Sequence, residues 1–241
     1  MNLNTTKTVR EVALETPVAT RVFERLKIDY CCGGGKQLDE ACAAAGVTLN
    51  ELSTMLEEAG ASRNGAARDF STASLAELIR HIVDTHHVYT REESARIQSL
   101  LAKVCAKHGE NHPELFDVAT LFRKLDADLQ PHLFKEEQVL FPYVLRLEAA
   151  AEGKTPRPFA PFGTVNNPVR MMMYEHDTAG DLLREIRSAA RDFKLPEGAC
   201  MSFRALYDAL EAFERDLHQH IHLENNVLFP RAVELEAAYA A

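Results

Sequence analysis

Apolar residues recur at helical spacing almost from the start of the chain. Val9, Val12 and Leu14, then Val18, Val22, Phe23, Leu26 and Ile28, mark short amphipathic helices. The pattern breaks at Tyr30-Cys31-Cys32-Gly33-Gly34-Gly35, where the glycines punctuate the backbone, and a further helix from Lys36 to Ala45 follows. Residues 1–60 therefore read as a small helical domain, near the lower limit of what builds its own core. The run Gly60-Ala61-Ser62-Arg63-Asn64-Gly65-Ala66-Ala67-Arg68 is polar and glycine-bearing, and residues 61–73 are expected to be a linker.

Beyond it the periodicity lengthens. Ser74-Leu75-Ala76-Glu77 is a capping-box pattern, and it opens a helix with Leu75, Leu78, Ile79, Ile82, Val83, Ile97, Leu100, Leu101 and Val104 on one face. That helix is expected to stop near Gly109. Pro113 suits the first turn of a second helix running to about Ala150. Three prolines between Gly153 and Asn167 mark a long crossover. Asn167-Pro168 starts a third helix, reaching about Lys194, and a fourth follows Leu195-Pro196-Glu197-Gly198 to the C-terminus. Two short turns and one longer connection predict an all-α fold: an antiparallel four-helix bundle over residues 74–241 beside the small N-terminal helical domain.

Composition narrows the function classes. Hydrophobic residues at 46% and charged residues at 26% exclude a disordered or fibrous chain. A net charge of −9 repels phosphate backbones and anionic lipid, so no nucleic acid and no membrane partner is expected. No apolar run approaches the roughly 18 residues of a membrane helix, and the first residues lack a signal peptide's apolar stretch, so the expected location is cytoplasmic. Five cysteines are an odd number without framework spacing and are expected to be reduced thiols.

Ten histidines beside no tryptophan change the picture most. His132-Leu-Phe-Lys-Glu136-Glu-Gln-Val139-Leu140-Phe141-Pro142 recurs as His220-Ile-His-Leu-Glu224-Asn-Asn-Val227-Leu228-Phe229-Pro230. A His and a Glu four apart share one helix face, a spacing that suits chelation. On the helical wheel His220 and Glu224 fall on the stripe of Leu206, Leu210, Phe213, Leu217 and Val227, whereas His218 and His222 project away. His132 and Glu136 likewise lie in the stripe of Leu125, Leu129, Val139 and Leu140. Such groups aimed into an apolar core cost several kcal/mol unless partnered, and a metal supplies the partner. The preceding helices add His176, and His86 or His87, which periodicity alone leaves open. Gly109 and Gly198 lie about midway between the paired ligand positions, so both hairpins deliver donors to one level of the bundle. Four histidines and two carboxylates exceed one tetrahedral zinc and suit two octahedral ions with bridging carboxylates. His81, His108, His112, His218 and His222 are left as surface or outer residues.

With these motifs in place, the chain resembles the hemerythrin-like di-iron proteins, and specifically the iron-sulfur cluster repair family of the ScdA, YtfE and DnrN/NorA kind. The likeness spans nearly the whole chain, through Tyr30-Cys31-Cys32-Gly33-Gly34, the two repeated words, and Glu175-His176-Asp177-x-Ala179-Gly180. It implies His87 as the ligand from the first helix, completing the set His87, His132, Glu136, His176, His220 and Glu224. It also implies two non-haem iron ions with oxo and carboxylate bridges, and a role in nitrosative and oxidative stress. The crossover from Gly153 to Asn167 is longer than the family pattern, and His86 stands where an aromatic residue is usual.

Cys31 and Cys32 precede a glycine run and a helix start, a setting expected to stabilise thiolates. Adjacent cysteines make a strained disulfide, so metal capture, nitrosation or thiol exchange is the expected chemistry. Cys42, Cys105 and Cys200 are assigned to packing. The leading function is a stress-response protein that repairs iron-sulfur clusters damaged by nitric oxide or oxidants. A reversible NO or O2 carrier, sink or sensor, and a di-iron nitric oxide reductase, are the alternatives. Expected partners are damaged iron-sulfur proteins, the diatomic ligands NO and O2, and a second copy of the chain in a homodimer. All six proposed ligands lie beyond the linker, so a chain lacking residues 1–60 is expected to fold and bind iron.

Overall fold

A computed structural model describes residues 7–61, 70 and 72–240. The expected linker therefore falls largely outside the described residues. Four short helices come first: α1 (Val9–Glu15), α2 (Ala19–Leu26), α3 (Leu38–Ala44) and α4 (Leu49–Ala61). Thr8 and Glu11 form a capping box at the start of α1, and Thr48 and Glu51 form one at the start of α4. Val12, Phe23, Leu38, Leu52 and Leu56 close a small core between them.

Four long helices follow: α5 (75–108), α6 (114–151), α7 (166–189) and α8 (201–240). Ser74 and Glu77 make the expected capping box on α5. The Glu148 carboxylate of α6 accepts from the N–H groups of Leu75 and Ala76 at 2.7 and 3.0 Å, meeting first-turn donors that have no partner within their own helix. Each long helix packs on the next, and α8 closes the ring against α5. The third helix ends at Ala189, short of Lys194, because Arg191, Asp192 and Phe193 turn left-handed at φ 51°, 57° and 57°. Each such residue costs about 1–2 kcal/mol. The turn is held by the Phe193 ring, which lies under the Arg187 guanidinium at 4.6 Å, and by the ion pair of Asp192 with Lys27.

Three long helices carry a π-helical segment: Ile82–His87 in α5, Glu136–Leu140 in α6 and Leu223–Leu228 in α8. Two of these have a local cause in the repeated word. Pro142 and Pro230 lack an N–H, and their rings crowd the carbonyls four residues earlier, those of Gln138 and Asn226. A wider turn just upstream relieves the clash. It also shifts the phase of the residues downstream. Val139, expected on the apolar stripe, is consequently 44% exposed, while Leu140 is buried.

The apolar interior of the bundle is divided in two. One cluster, around Ile97, Leu101, Leu125, Leu129, Phe213 and Leu217, fills the end near the short turns. The other, around Leu78, Ile82, Leu140, Val144, Met172 and Leu228, fills the opposite end. A belt of buried polar side chains separates them.

The N-terminal helices lie against the bundle. Cys31 is part of the first bundle cluster, and Leu14 packs against the second. His218 Nδ1 pairs with Glu24 at 3.0 Å, and Asn226 Nδ2 donates to the Tyr30 carbonyl at 2.9 Å. His218 is thereby half-buried and His222 buried, so of the surface or outer positions expected of them both take outer ones, covered by the N-terminal helices. No helix among the described residues is long and apolar enough to cross a membrane.

Candidate metal centre

The polar belt is assembled from all four long helices. α5 contributes His87, α6 His132 and Glu136, α7 His176, and α8 His220 and Glu224. None is more than 2% exposed. Their donor atoms form two overlapping sets, His87, His220, Glu136 and Glu224, and His132, His176, Glu136 and Glu224, the atoms of each lying within 4.8 Å of one another. Glu224 faces both sets: Oε1 is 3.1 Å from His220 Nε2, and Oε2 is 3.1 Å from His176 Nε2. Glu136 Oε2 likewise stands 3.5 Å from His87 Nε2 and 3.4 Å from His132 Nε2. Both carboxylates are shared between the two sets.

Outside the belt, a second layer of side chains fixes the rings. His87 Nδ1 donates to Glu137 at 2.7 Å, His132 Nδ1 to Glu175 at 2.8 Å, and His176 Nδ1 to Asn225 Oδ1 at 2.8 Å. Hydrogen bonding by His132, against the opposing effect of burial, and then Lys135, holds Glu175 down at about 2. Burial opposes the ionisation of Glu137, but His87 and Arg91 keep it below the ordinary carboxylate range. An ionised carboxylate only accepts, so the imidazole proton sits on Nδ1 and the bare Nε2 faces inward. His220 differs: its Nδ1 is buried with no hydrogen-bond partner, and its ring lies against His86, with centroids 5.7 Å apart and planes 9° apart.

The electrostatics match the geometry. Burial drives His220 down to about 3 and lowers His132, so both are neutral lone-pair donors at pH 7. Burial and the neighbouring Glu224 push Glu136 well above the ordinary range; burial pulls Glu224 the same way, but His220, His176 and His87 hold it well below. Neither oxygen of either carboxylate has a hydrogen-bond partner. Buried carboxylate oxygens without donors, facing four inward Nε2 atoms, fit divalent cations and little else. The six residues present fit a metal.

His86 is beside the belt and outside it, with Nδ1 3.1 Å from Asp216 Oδ1. The π-helical segment Ile82–His87 turns His87 inward instead. Cys31 and Cys32 lie close by, with Cys32 Sγ 3.5 Å from the His176 carbonyl and 3.8 Å from Cys31 Sγ. The expected thiolate stabilisation is absent at Cys31. Its hydrogen bond with Cys32, its burial and the nearby Asp29 push the thiol well above its ordinary value, and α3 begins only at Leu38. Cys42 is in the small core, while Cys105 and Cys200 pack beside the bundle core. Sequence reasoning passed over Glu137, Glu175 and Asn225. The signal for two of them was available, since Glu137 and Asn225 each follow the glutamate of the repeated word.

A buried His and Glu belt at mid-height of an antiparallel four-helix bundle defines a metal-binding helical protein. The chain belongs to the family described as the hemerythrin HHE cation binding domain, whose model matches residues 78–232. Residues 5–60 match a second family model, ScdA_N, a domain of unknown function. Over nearly its full length the chain is similar to proteins named for iron-sulfur cluster repair. It is 35% identical over 226 residues to the "Probable iron-sulfur cluster repair protein" of Haemophilus influenzae, covering 92% of this chain and 95% of that one. It is 34% identical over 229 residues to the iron-sulfur cluster repair protein YtfE of Pectobacterium carotovorum, with 94% and 96% covered. Against the YtfE protein of Dickeya chrysanthemi it is 32% identical over 226 residues, with 94% and 96% covered.

Proposed function

We propose that this protein repairs iron-sulfur clusters damaged by nitric oxide or oxidants, by supplying iron from a pair of non-haem iron ions. The observation that carries the reading is the sharing of Glu136 and Glu224 between two histidine pairs. That arrangement suits two ions bridged by carboxylates and an oxo group, one held by His87 and His220, the other by His132 and His176. Oxygen and imidazole donors without thiolate suit iron that is to be given up, since thiolates would hold it as a cluster. When bound, the iron pair supplies one-electron chemistry toward nitric oxide and dioxygen and is also the metal delivered.

The chain's own residues do the rest. Glu137, Glu175 and Asn225 keep three rings turned inward. The two apolar clusters exclude water from above and below the belt. Cys31 and Cys32 offer a soft thiol pair beside the His176 backbone, suited to assisting iron exchange with a damaged iron-sulfur protein. The names of the relatives support the reading, and the lack of a membrane-crossing helix among the described residues agrees with action in the cytoplasm.

The test is anaerobic incubation of the iron-loaded protein with an oxidatively damaged iron-sulfur enzyme. Recovered enzyme activity with matching iron loss from this protein is the expected result. Recovery with no iron lost would overturn iron supply. A purified protein holding one tightly bound zinc would sink the di-iron assignment. Replacing Cys31 and Cys32 together by serine is expected to leave iron content unchanged and to lower the rate of repair.

A further inference from the structure

Asn225 has two partners. Its Oδ1 accepts from His176 Nδ1 at 2.8 Å, and its Nδ2 donates to the Cys31 carbonyl at 3.4 Å. The corresponding position in the other copy of the repeated word is Glu137, which holds His87. A carboxylate is the stronger acceptor for an imidazole N–H, but it has nothing to donate. An amide stands at 225 where a donor is needed, and the group it grips is the thiol-bearing loop. A second link runs from the Cys32 thiol to the His176 carbonyl at 3.5 Å. The loop thus holds His176 by its side chain through Asn225 and by its backbone through Cys32. His87 and His132 lean instead on Glu137 and Glu175, both on bundle helices.

The seat of Cys32 is tight. Its sulfur lies 3.5 Å from where a Cβ on Gly180 of α7 would stand, so the thiol abuts the helix that carries His176. An adduct on that sulfur has no room while the loop is seated.

We propose that Asn225 is a positioning residue through which the Cys31-Cys32 loop controls how firmly metal is held at the His132 and His176 position. With the loop seated, the His176 ring is fixed. Modification of the half-buried Cys32 lifts the loop, Asn225 loses a partner, and the metal on that side is released first. The inference rests on the two-metal reading above and adds its control.

The experiment uses the full iron-loaded chain under anaerobic conditions, with an excess of a ferrous chelator, before and after iodoacetamide. In that reaction a sulfur–carbon bond forms, iodide leaves and the thiol proton passes to buffer. After modification, one of two irons is expected to leave about tenfold faster or more, the scale on which outer-layer partners tune metal affinity. Cys32→Ser should be insensitive to the reagent. Asn225→Asp keeps the acceptor for His176 and removes the donor to Cys31; it is expected to load both irons and to release them at a rate that iodoacetamide no longer alters. Asn225→Ala, which loses both bonds, should release one iron quickly without any reagent. Unchanged release from wild-type chain bearing a mass-verified Cys32 adduct overturns the inference, as does a wild-type response from Asn225→Asp. Loading of a single metal overturns the two-metal reading and this inference with it, whereas two metals with reagent-insensitive release overturn the inference alone.

Discussion

A ligating imidazole must present one bare nitrogen and anchor the other, and three of the four histidines here do so through an oxygen on Nδ1. Removing such an anchor weakens metal binding by about 10–100-fold. Glu175→Ala is therefore expected to retain the fold and lose affinity on that scale in a competition with a chelator. His87→Ala should cost the chain metal, while His86→Ala, which loses a stacked neighbour in place of a belt residue, should leave iron content near normal; loss from His86→Ala alone would reverse the assignment of the two residues. The loop that carries the thiols depends on another single residue. Asp29 Oδ1 accepts from the N–H groups of Cys31 and Cys32 at 3.1 and 3.0 Å. Burial opposes its ionisation, but the Gly33 amide, the Cys31 thiol and the Cys32 amide keep it below the ordinary aspartate value. A carboxyl lowered on folding contributes stability that is present above its unfolded value, about 3.9, and lost as pH falls through the folded one. Cys32 should accordingly react faster with dithiodipyridine, a disulfide that thiols attack even in acid, as pH drops below about 4. Asp29→Asn should show fast reaction at every pH.

At the level of the helix, the wheel succeeded where the turn is regular and failed where it widens. His132, Glu136, His220 and Glu224 sit four apart ahead of, or at the edge of, their π-helical segments, so ordinary helical spacing places them correctly. His86 and Val139 lie within such segments, and there a count of 3.6 residues per turn assigns the wrong face. The four-helix arrangement was legible because caps, glycines and prolines mark most of its ends. The left-handed turn at Arg191–Phe193 was not, because no glycine announces it and its support comes from Lys27 and Arg187, both outside the turn itself. Docking of the small domain was equally hidden, since Asn226, His222 and Tyr30 read as ordinary residues until they meet. The prolines offer a direct test of the widened turns. Pro230→Ala removes the clash that supports the segment Leu223–Leu228, so the metal-free protein should melt at a higher temperature. Metal affinity should fall as Asn225, inside the widened turn, leaves its phase and lets go of His176. A variant that binds metal as well as the parent would show that the wide turn is held by packing alone.

For the molecule as a whole, the N-terminal helices cover part of the bundle surface. Deleting residues 1–60 removes Cys31 from the bundle core and uncovers His222 and Asn226. All six belt residues remain, so the truncated chain should fold and take up iron. Its thermal midpoint should drop by roughly 5 °C or more, at about 2–4 °C per kcal/mol for a chain of this size. The division of the interior into two apolar clusters bears on cooperativity. The two clusters are linked by the belt and by the N-terminal helices, which reach one through Cys31 and the other through Leu14, so metal ions held by donors from all four long helices would act as rivets that make two half-cores unfold as one. Ligands that bind only the folded state raise its stability by mass action, and here they should also change the shape of the transition. Calorimetry of the loaded protein should show a single peak whose calorimetric and van't Hoff enthalpies agree. Stripped of metal, the same chain should melt in two steps, the end near the crossover parting from the end near the short turns, so that loss of metal would also uncouple the two halves of the fold.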